Sequence, residues 1–171
     1  MSRILKIVVT GPFGAGKSQF IKTISDIPVV STERKISYRE KGMKAQTTVA
    51  MDYGRVEIGD DVLHLNGTPG QARFDFMWDI LSREMHGLVM LVDSTDEALF
   101  GGIHSMIGEF LSPKAVPYIV VANKQDEKGA LPLDKFRRAL DLGPDATILP
   151  CAATQKTSVK FVLSQLAGMI Q

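Results

Sequence analysis

The hydrophobic residues of this chain fall into short continuous runs that alternate with stretches of helical spacing. Six of the runs are rich in β-branched residues and predict strands, and several are apolar at every position, as in central strands covered on both faces. The six predicted strands are Ile4–Thr10, Thr48–Ile58, Val62–Asn66, Gly87–Asp93, Tyr118–Asn123 and Thr147–Pro150. A short turn, Gly59-Asp60-Asp61, joins the second and third and suits an antiparallel hairpin.

Between these strands, apolar residues recur at the three- and four-residue spacing of amphipathic helices. The predicted helices are Gln19–Ser25, Gln71–Met85, a third from Leu99 to Phe110 and a last from Val159 to Ile170. Gly101-Gly102 weakens the third helix locally. Strands and helices alternate without a linker or repeat. We therefore expect one α/β domain over residues 1–171, with about six mostly parallel strands, one antiparallel hairpin and helices on both faces.

The composition narrows the classes of function. The 20 Lys and Arg residues are balanced by 19 Asp and Glu residues, so net charge does not favour nucleic acid or an anionic membrane. The single cysteine, Cys151, cannot form an internal disulfide, and no apolar run resembles a membrane span or a signal peptide. Both standard lipidation motifs are missing. We expect a cytoplasmic protein without a membrane anchor of its own.

Residues 11–18 carry the strongest chemical signal. They read GPFGAGKS, which fits the phosphate-binding pattern G-x-x-x-x-G-K-[ST] at every required position, between a predicted strand and a predicted helix. A glycine-rich turn in that context directs successive backbone N–H groups and a helix N-terminus at a phosphate chain. In such loops the lysine, here Lys17, neutralises the β- and γ-phosphates, and the hydroxyl, here Ser18, binds Mg²⁺.

A second motif, Asn123-Lys124-Gln125-Asp126, follows directly on a predicted buried strand. A carboxylate at this position can accept hydrogen bonds from N1–H and the 2-amino group of guanine, and adenine offers neither donor. Two further segments, Gly67–Gln71 and Cys151-Ala152-Ala153, follow the strands where a γ-phosphate sensor and a backbone donor to guanine O6 belong.

The order and spacing of these motifs resemble the Ras-like small GTPases over essentially the whole chain. Thr47–Gly54 and Gly67–Gln71 are similar to the prokaryotic branch, which includes the gliding-motility type and the GTPases of actinobacterial signalling operons. The resemblance implies a G domain with the P-loop at 11–18, an extended switch I at about 29–50 and switch II at about 67–80. It implies a slow GTP/GDP switch with Mg²⁺ that acts on protein partners, either roadblock/LC7-type regulators or a GTPase-activating protein.

The resemblance also assigns individual roles. The residues expected to hold the phosphates are Gly14, Ala15, Gly16, Lys17 and Ser18. Ser18 and Thr48 are the expected Mg²⁺ ligands, with Thr48 arriving only when the γ-phosphate is present. Gly70 would donate its N–H to that phosphate and Gln71 would orient the attacking water.

Around the base, Asn123 and Lys124 are expected to support the ring, Asp126 to read it, and Ala152 to contribute its N–H. Cys151 and Ala153 flank that donor. The expected catalytic set is completed by an arginine: within the charged, aperiodic stretch Ser31–Lys44, interpreted as an extended mobile switch I, Arg39 or Arg34 could act in cis. The alternative is that this charge run is only a solvated face.

Three positions depart from the Ras-like pattern. Gly67 stands where an aspartate normally holds a Mg²⁺-bound water, which weakens the expected hold on the metal. Phe13 stands beside the γ-phosphate, where it either crowds Gln71 and slows hydrolysis or points outward. Val29 replaces the usual aromatic cover of the guanine ring. Gly67 and Phe13 keep open a nucleotide-binding scaffold with little or no turnover.

Asp93 supports a different alternative. It ends an apolar run, as the Mg²⁺ carboxylate of a P-loop ATPase or kinase does, although Asp93-Ser94 also fits the N-cap of a helix.

Overall fold

A computed structural model of the chain describes residues 2–40, 43–68 and 81–171, and between residues 31 and 50 it describes the backbone alone. Within those ranges one sheet contains seven strands in the order β2-β3-β4-β1-β5-β6-β7. The strands are β1 Ile4–Thr10, β2 Val30–Glu40, β3 Met43–Ile58, β4 Asp61–Gly67, β5 Gly87–Asp93, β6 Tyr118–Asn123 and β7 Ile148–Pro150.

Strands β4, β1, β5, β6 and β7 are parallel, whereas β3 is antiparallel to both of its neighbours, β2 and β4. The predicted α/β fold class, with a mostly parallel sheet, is confirmed. The predicted hairpin is β3–β4, which closes at the pair Ile58 and Asp61. Gly59 in its turn has φ +58°, a conformation that favours glycine.

The part of Ser31–Lys44 that is described forms strands, not the aperiodic mobile segment that the sequence predicted. Strand β2 pairs with β3 from Val30 opposite Tyr53 to Glu40 opposite Met43. A strand at the edge of a sheet gains its backbone hydrogen bonds from one neighbour and needs no apolar face of its own. The hydrophobic pattern therefore carries no signal for β2.

The helices are α1 Lys17–Ile24, α2 Ile103–Leu111, α3 Leu133–Ala139 and α4 Lys156–Met169, and residues 81–84 are also helical. The glycine pair at 101–102 ends a 3-10 helix, Glu97–Gly102, and the α-helix begins only after it. Helix α3 was not predicted. None of the described helices is long and apolar enough to cross a bilayer.

The central strand β5 shows how the core is arranged. All seven of its residues are buried. Val89 and Leu91 pack into a cluster with α1 and α4, while Met90 and Val92 pack into a second cluster with α2 and α3. The loops after β1, β4, β6 and β7 meet at the end of the sheet where the parallel strands finish.

Candidate functional site

The loop between β1 and α1 forms the wall of a cavity of about 440 Å³. Residues 13–19 line it, together with Asp52, Gly67, Thr68 and Lys124. Gly16 has φ +102°, and a Cβ added there would lie 2.5 Å from Asn123 Nδ2. Only glycine therefore allows the loop to lie against Asn123 at the end of β6.

Lys17, at the start of α1, is held by the loop it belongs to. Its Nζ donates to the carbonyl oxygens of Gly11 at 2.5 Å and Pro12 at 3.3 Å. Burial lowers the pKa of Lys17 to about 8, although the nearby Asp52 carboxylate acts in the opposite direction. A partly desolvated ammonium at this point is suited to an anionic ligand.

Asp52 is a residue of this site that the sequence analysis missed. The Ser18 hydroxyl donates to Asp52 Oδ2 at 2.5 Å. Asp52 lies on β3 directly opposite Gly67 of β4 in the antiparallel register. A Cβ added to Gly67 would meet Ile21 Cδ1 at 3.0 Å and Asp52 Cβ at 3.5 Å. A carboxylate thus lies across the strand pair from Gly67 and accepts from Ser18, a relation that the strand register reveals.

The oxygen donors at this end fit a Mg²⁺ ion. Hydroxyl and carboxylate oxygens are the ligands that Mg²⁺ takes, usually completed by phosphate oxygens and water. Among the side chains that the structure describes, no three histidine, cysteine or acidic residues converge on one point. Ser18 and Asp52 would therefore hold the ion together with a phosphate ligand.

A second cavity, of about 310 Å³, lies next to the first. Asp126 lines it, together with Glu127, Ala153, Thr154 and Asn123, and the two cavities share Gly16, Gln19 and Lys124. An elongated ligand can therefore occupy both cavities at once.

Asn123 joins the loops around these cavities. Its side chain is 1% exposed. Its Nδ2 donates to Ala15 O at 2.8 Å, and its Oδ1 accepts from Ala153 N at 3.1 Å. One buried amide thus connects the P-loop, the end of β6 and the loop after β7.

Asp93 is neither the helix cap nor a wall of either cavity among the described residues. Its Oδ2 accepts from Lys124 Nζ at 2.8 Å, and its Oδ1 accepts from Thr95 N at 2.9 Å and Thr95 Oγ1 at 2.6 Å. Burial opposes ionisation of Asp93, but these hydrogen bonds prevail and lower its pKa. The 3-10 helix is capped instead by Asp96, which accepts from Ala98 N at 3.3 Å. The N-cap prediction for Asp93 is therefore wrong, since its carboxylate is turned to Lys124.

The loop after β7 differs from the prediction at one donor. Ala152 N, expected to face guanine O6, donates to Ser158 Oγ at 2.9 Å, because the first turn of α4 brings that hydroxyl back over the loop. Cys151 is 2% exposed, its carbonyl accepts from Gln125 N at 3.1 Å, and burial raises the pKa of its thiol.

Several predicted residues lie beyond this description. Gly70 and Gln71 fall outside the described residues. Thr48 and Arg39 lie on β3 and β2, where their backbones pair with Lys35 and Lys44, and their side chains are not described. The roles assigned to these four residues stay predictions.

The structure also describes Phe13 and Val29, the two positions where the presence or absence of an aromatic ring departs from the Ras-like pattern. Phe13 lines the rim of the first cavity and is 77% exposed, which matches the outward alternative. Val29 is partly buried against the core cluster of α1 and α4.

Comparison with known proteins agrees with this fold. The family described as "Conserved hypothetical ATP binding protein" matches residues 29–170. ADP-ribosylation factor-related protein 1 of Rattus norvegicus is 30% identical over 139 residues, which are 78% of this chain and 65% of that protein. The chain thus aligns with just under two thirds of this relative's length. An uncharacterized protein of Methanocaldococcus jannaschii is 30% identical over 128 residues, 71% of each chain.

Among solved structures, the Arl6 BBS3 small GTPase from Trypanosoma brucei, with bound nucleotide analogue GppNp, superimposes with a TM-score of 0.74. The match covers 96% of each chain at 20% identity, and it therefore shows that the two proteins share a fold. The chain therefore belongs to the family described as conserved hypothetical ATP-binding proteins, and it shares the fold of that small GTPase.

Proposed function

We propose that this protein is a guanine-nucleotide switch, which binds GTP or GDP with Mg²⁺, hydrolyses GTP slowly and presents different surfaces to protein partners in its two states. The observation that carries the proposal is the continuity of the two cavities. One is built from the phosphate-binding loop and the other contains Asp126, so a nucleotide fits across both.

The identity of the base is the first point to establish, because the description of the family names ATP. Asp126 supports guanine, since its carboxylate can accept both donors on the guanine edge and would be left unpaired by adenine. The alternative of an ATPase or kinase that uses Asp93 as its metal carboxylate is disfavoured. Lys124 and Thr95 already occupy both oxygens of Asp93.

At the phosphate end, Lys17 would bind the phosphate chain and Ser18 and Asp52 would hold Mg²⁺, with Thr48 joining them in the GTP state. When bound, the ion would offset the charge that develops on the phosphate oxygens during hydrolysis. Asp52 must then release the Ser18 hydroxyl that it accepts from, so that both oxygens face the same ligand.

For hydrolysis we propose that Gln71 orients water and that Arg39 or an activating protein supplies positive charge. The exposed ring of Phe13 lies where such a protein must approach, which favours an activator that does not insert an arginine at this point. The prokaryotic branch, with roadblock/LC7-type partners, remains our proposal, and the archaeal relative is compatible with it. A single cysteine suits the cytoplasmic setting that we propose.

The deciding experiment is competition binding of GTP, GDP and ATP to nucleotide-stripped protein at several Mg²⁺ concentrations. We expect the guanine nucleotides to bind at least about 10²-fold more tightly than ATP, because adenine would cover the exposed Asp126 carboxylate without offering it a hydrogen-bond donor. Asp126→Ala should remove the preference, while Asp93→Asn and the exposed control Asp145→Ala should keep it. A preference for ATP in the wild-type chain would overturn the proposal.

Single-turnover hydrolysis separates a switch from the scaffold alternative that Gly67 and Phe13 favour. We expect wild-type protein to hydrolyse bound GTP faster than Gln71→Ala, with and without candidate partners. Equal rates in the two proteins would leave a nucleotide-binding scaffold as the better description.

A further inference from the structure

The two cavities of the site join at a short stretch of shared wall. Gly16, Gln19 and Lys124 line both. A nucleotide with its phosphates in one cavity and its base in the other must therefore pass its sugar along these three residues. Gly16 has no side chain, and Lys124 is paired with Asp93. Gln19 is therefore the side chain at this junction that still lacks a role.

Gln19 is held in place from behind. Its Nε2 donates to Thr23 Oγ1 at 2.9 Å, one turn further along α1. Thr23 Oγ1 in turn donates to Ala153 O at 2.5 Å, in the loop that lines the second cavity. A hydroxyl has one hydrogen, so Thr23, having given it to Ala153, can only accept from Gln19. This fixes the amide with its nitrogen toward Thr23 and leaves its carbonyl oxygen for another donor.

The site also needs such a contact. None of the described residues that line the second cavity is aromatic. Val29, expected where an aromatic covers the base, packs instead against the core. With no aromatic side chain among these residues to stack on, the nucleoside part of the ligand depends more on hydrogen bonds at its edges.

We propose that Gln19 binds the sugar of the nucleotide, with its carbonyl oxygen accepting a hydrogen bond from a ribose hydroxyl, and that Thr23 is the positioning residue that orients it. The chemistry is selective, because phosphate oxygens donate nothing at neutral pH and ribose hydroxyls are the donors at this part of a nucleotide. The inference rests on the proposed function in requiring a nucleotide, but not on which base that nucleotide carries.

The test compares two ligands that occupy different parts of the site. We would titrate GDP and inorganic pyrophosphate into nucleotide-stripped wild-type protein, Gln19→Ala and Gln165→Ala, the last removing an exposed helical glutamine on α4. Loss of one neutral hydrogen bond should weaken GDP about 3- to 10-fold in Gln19→Ala and leave pyrophosphate unchanged. The control Gln165→Ala should bind both ligands as the wild type does.

Three results would overturn the proposal: unchanged GDP affinity, an equal loss for pyrophosphate, or the same loss for 2′,3′-dideoxy-GDP. The last ligand lacks the ribose hydroxyls, so the gap between wild type and Gln19→Ala should close with it. Thr23→Val should reproduce part of the GDP loss, and Thr23→Ser should bind GDP as the wild type does. An unchanged thermal midpoint for Gln19→Ala would show that the fold is intact.

The outcomes also distinguish this inference from the proposed function. If wild-type protein binds ATP as well as GTP, the guanine assignment fails, yet Gln19→Ala should still weaken both nucleotides. If the guanine preference holds and Gln19→Ala changes nothing, only the sugar contact fails. Wild-type protein that binds pyrophosphate but no nucleotide contradicts both.

Discussion

The two ends of the candidate site are held together in different ways. At the base end, hydrogen bonds run between neighbouring loops: Asn123 bonds to Ala15 and Ala153, and Lys124 pairs with Asp93. At the phosphate end, the groups that would bind the ligand are bonded to each other or to their own loop, as with Ser18 on Asp52 and Lys17 on Gly11. At the phosphate end a ligand must therefore displace existing partners, whereas at the base end the bonds between the loops can stay and the Ala152 N–H, which donates to Ser158, would change its partner.

The largest expected effect comes from breaking the joint between the two ends. In Gly16→Ala, the new Cβ would lie 2.5 Å from Asn123 Nδ2, at a φ of +102°. Backbone strain and the displaced amide together should lower the free energy of unfolding by about 3 kcal/mol and prevent GDP binding. Chemical denaturation and GDP titration would measure the two losses.

Gly14→Ala is the matched control. Gly14 also has positive φ, +81°, but a Cβ there would meet nothing within 4 Å. It should lose only the cost of the backbone conformation, about 1 kcal/mol. Equal losses in the two variants would mean that Asn123 does not join the ends of the site.

The second effect is confined to the phosphate end. Burial lowers the pKa of Lys17 to about 8, so above that pH the ligand-free protein loses the charge that phosphate needs. GDP binding must then take up a proton, and its affinity should fall about fivefold between pH 8 and 9. Titrations from pH 7 to 9 would show this, and Lys17→Arg should give a flat profile because guanidinium does not titrate there.

Asp52→Asn tests the electrostatic coupling between Asp52 and Lys17 at the phosphate end. The Asp52 carboxylate raises the pKa of Lys17, so its removal should move the onset of the fall in affinity to lower pH. A profile with the same onset as the wild type would show that Asp52 and Lys17 are not coupled.

The strands of this molecule were easier to predict from the sequence than the contacts between side chains on different strands. Continuous apolar runs predicted β1, β5 and β6 with the bounds that the structure has, because buried parallel strands cannot be polar. Strand β2 could not be predicted, since an edge strand is held by backbone bonds. Asp52 was missed for a related reason: its closeness to Ser18 depends on a register between strands, and spacing along the chain does not encode it.

A smaller effect is expected at the base end, where Ser158 accepts the hydrogen bond of Ala152 N. Ser158→Ala removes the acceptor of Ala152 N and should lower the free energy of unfolding of the ligand-free protein by about 1 kcal/mol. GDP should recover that loss if guanine O6 takes over the N–H. Thermal midpoints with and without GDP would measure it, with Ser164→Ala on the same helix as control.

The smallest effect lies away from both cavities. His86 Nδ1 accepts from Lys6 N at 2.8 Å, which requires the unprotonated ring. Burial, helped by Lys114 and Lys6, lowers the pKa of His86. The unfolded chain therefore takes up its proton first as the pH falls below about 6.5, and stability declines there. We expect the wild-type thermal midpoint to fall about 1–2 °C more than that of His86→Gln between pH 7 and 6, with GDP affinity unaffected.

The burial of Cys151 makes the rate of its reaction with a thiol reagent a measure of local opening. It is the only cysteine in the chain, so a thiol reagent has one target. With 2% exposure and a raised pKa, that thiol can react only while the loop after β7 lifts away. Because this loop lines the second cavity, the labelling rate of Cys151 reports how often that part of the site opens. The degree to which each nucleotide slows the labelling then ranks the ligands, without an engineered cysteine.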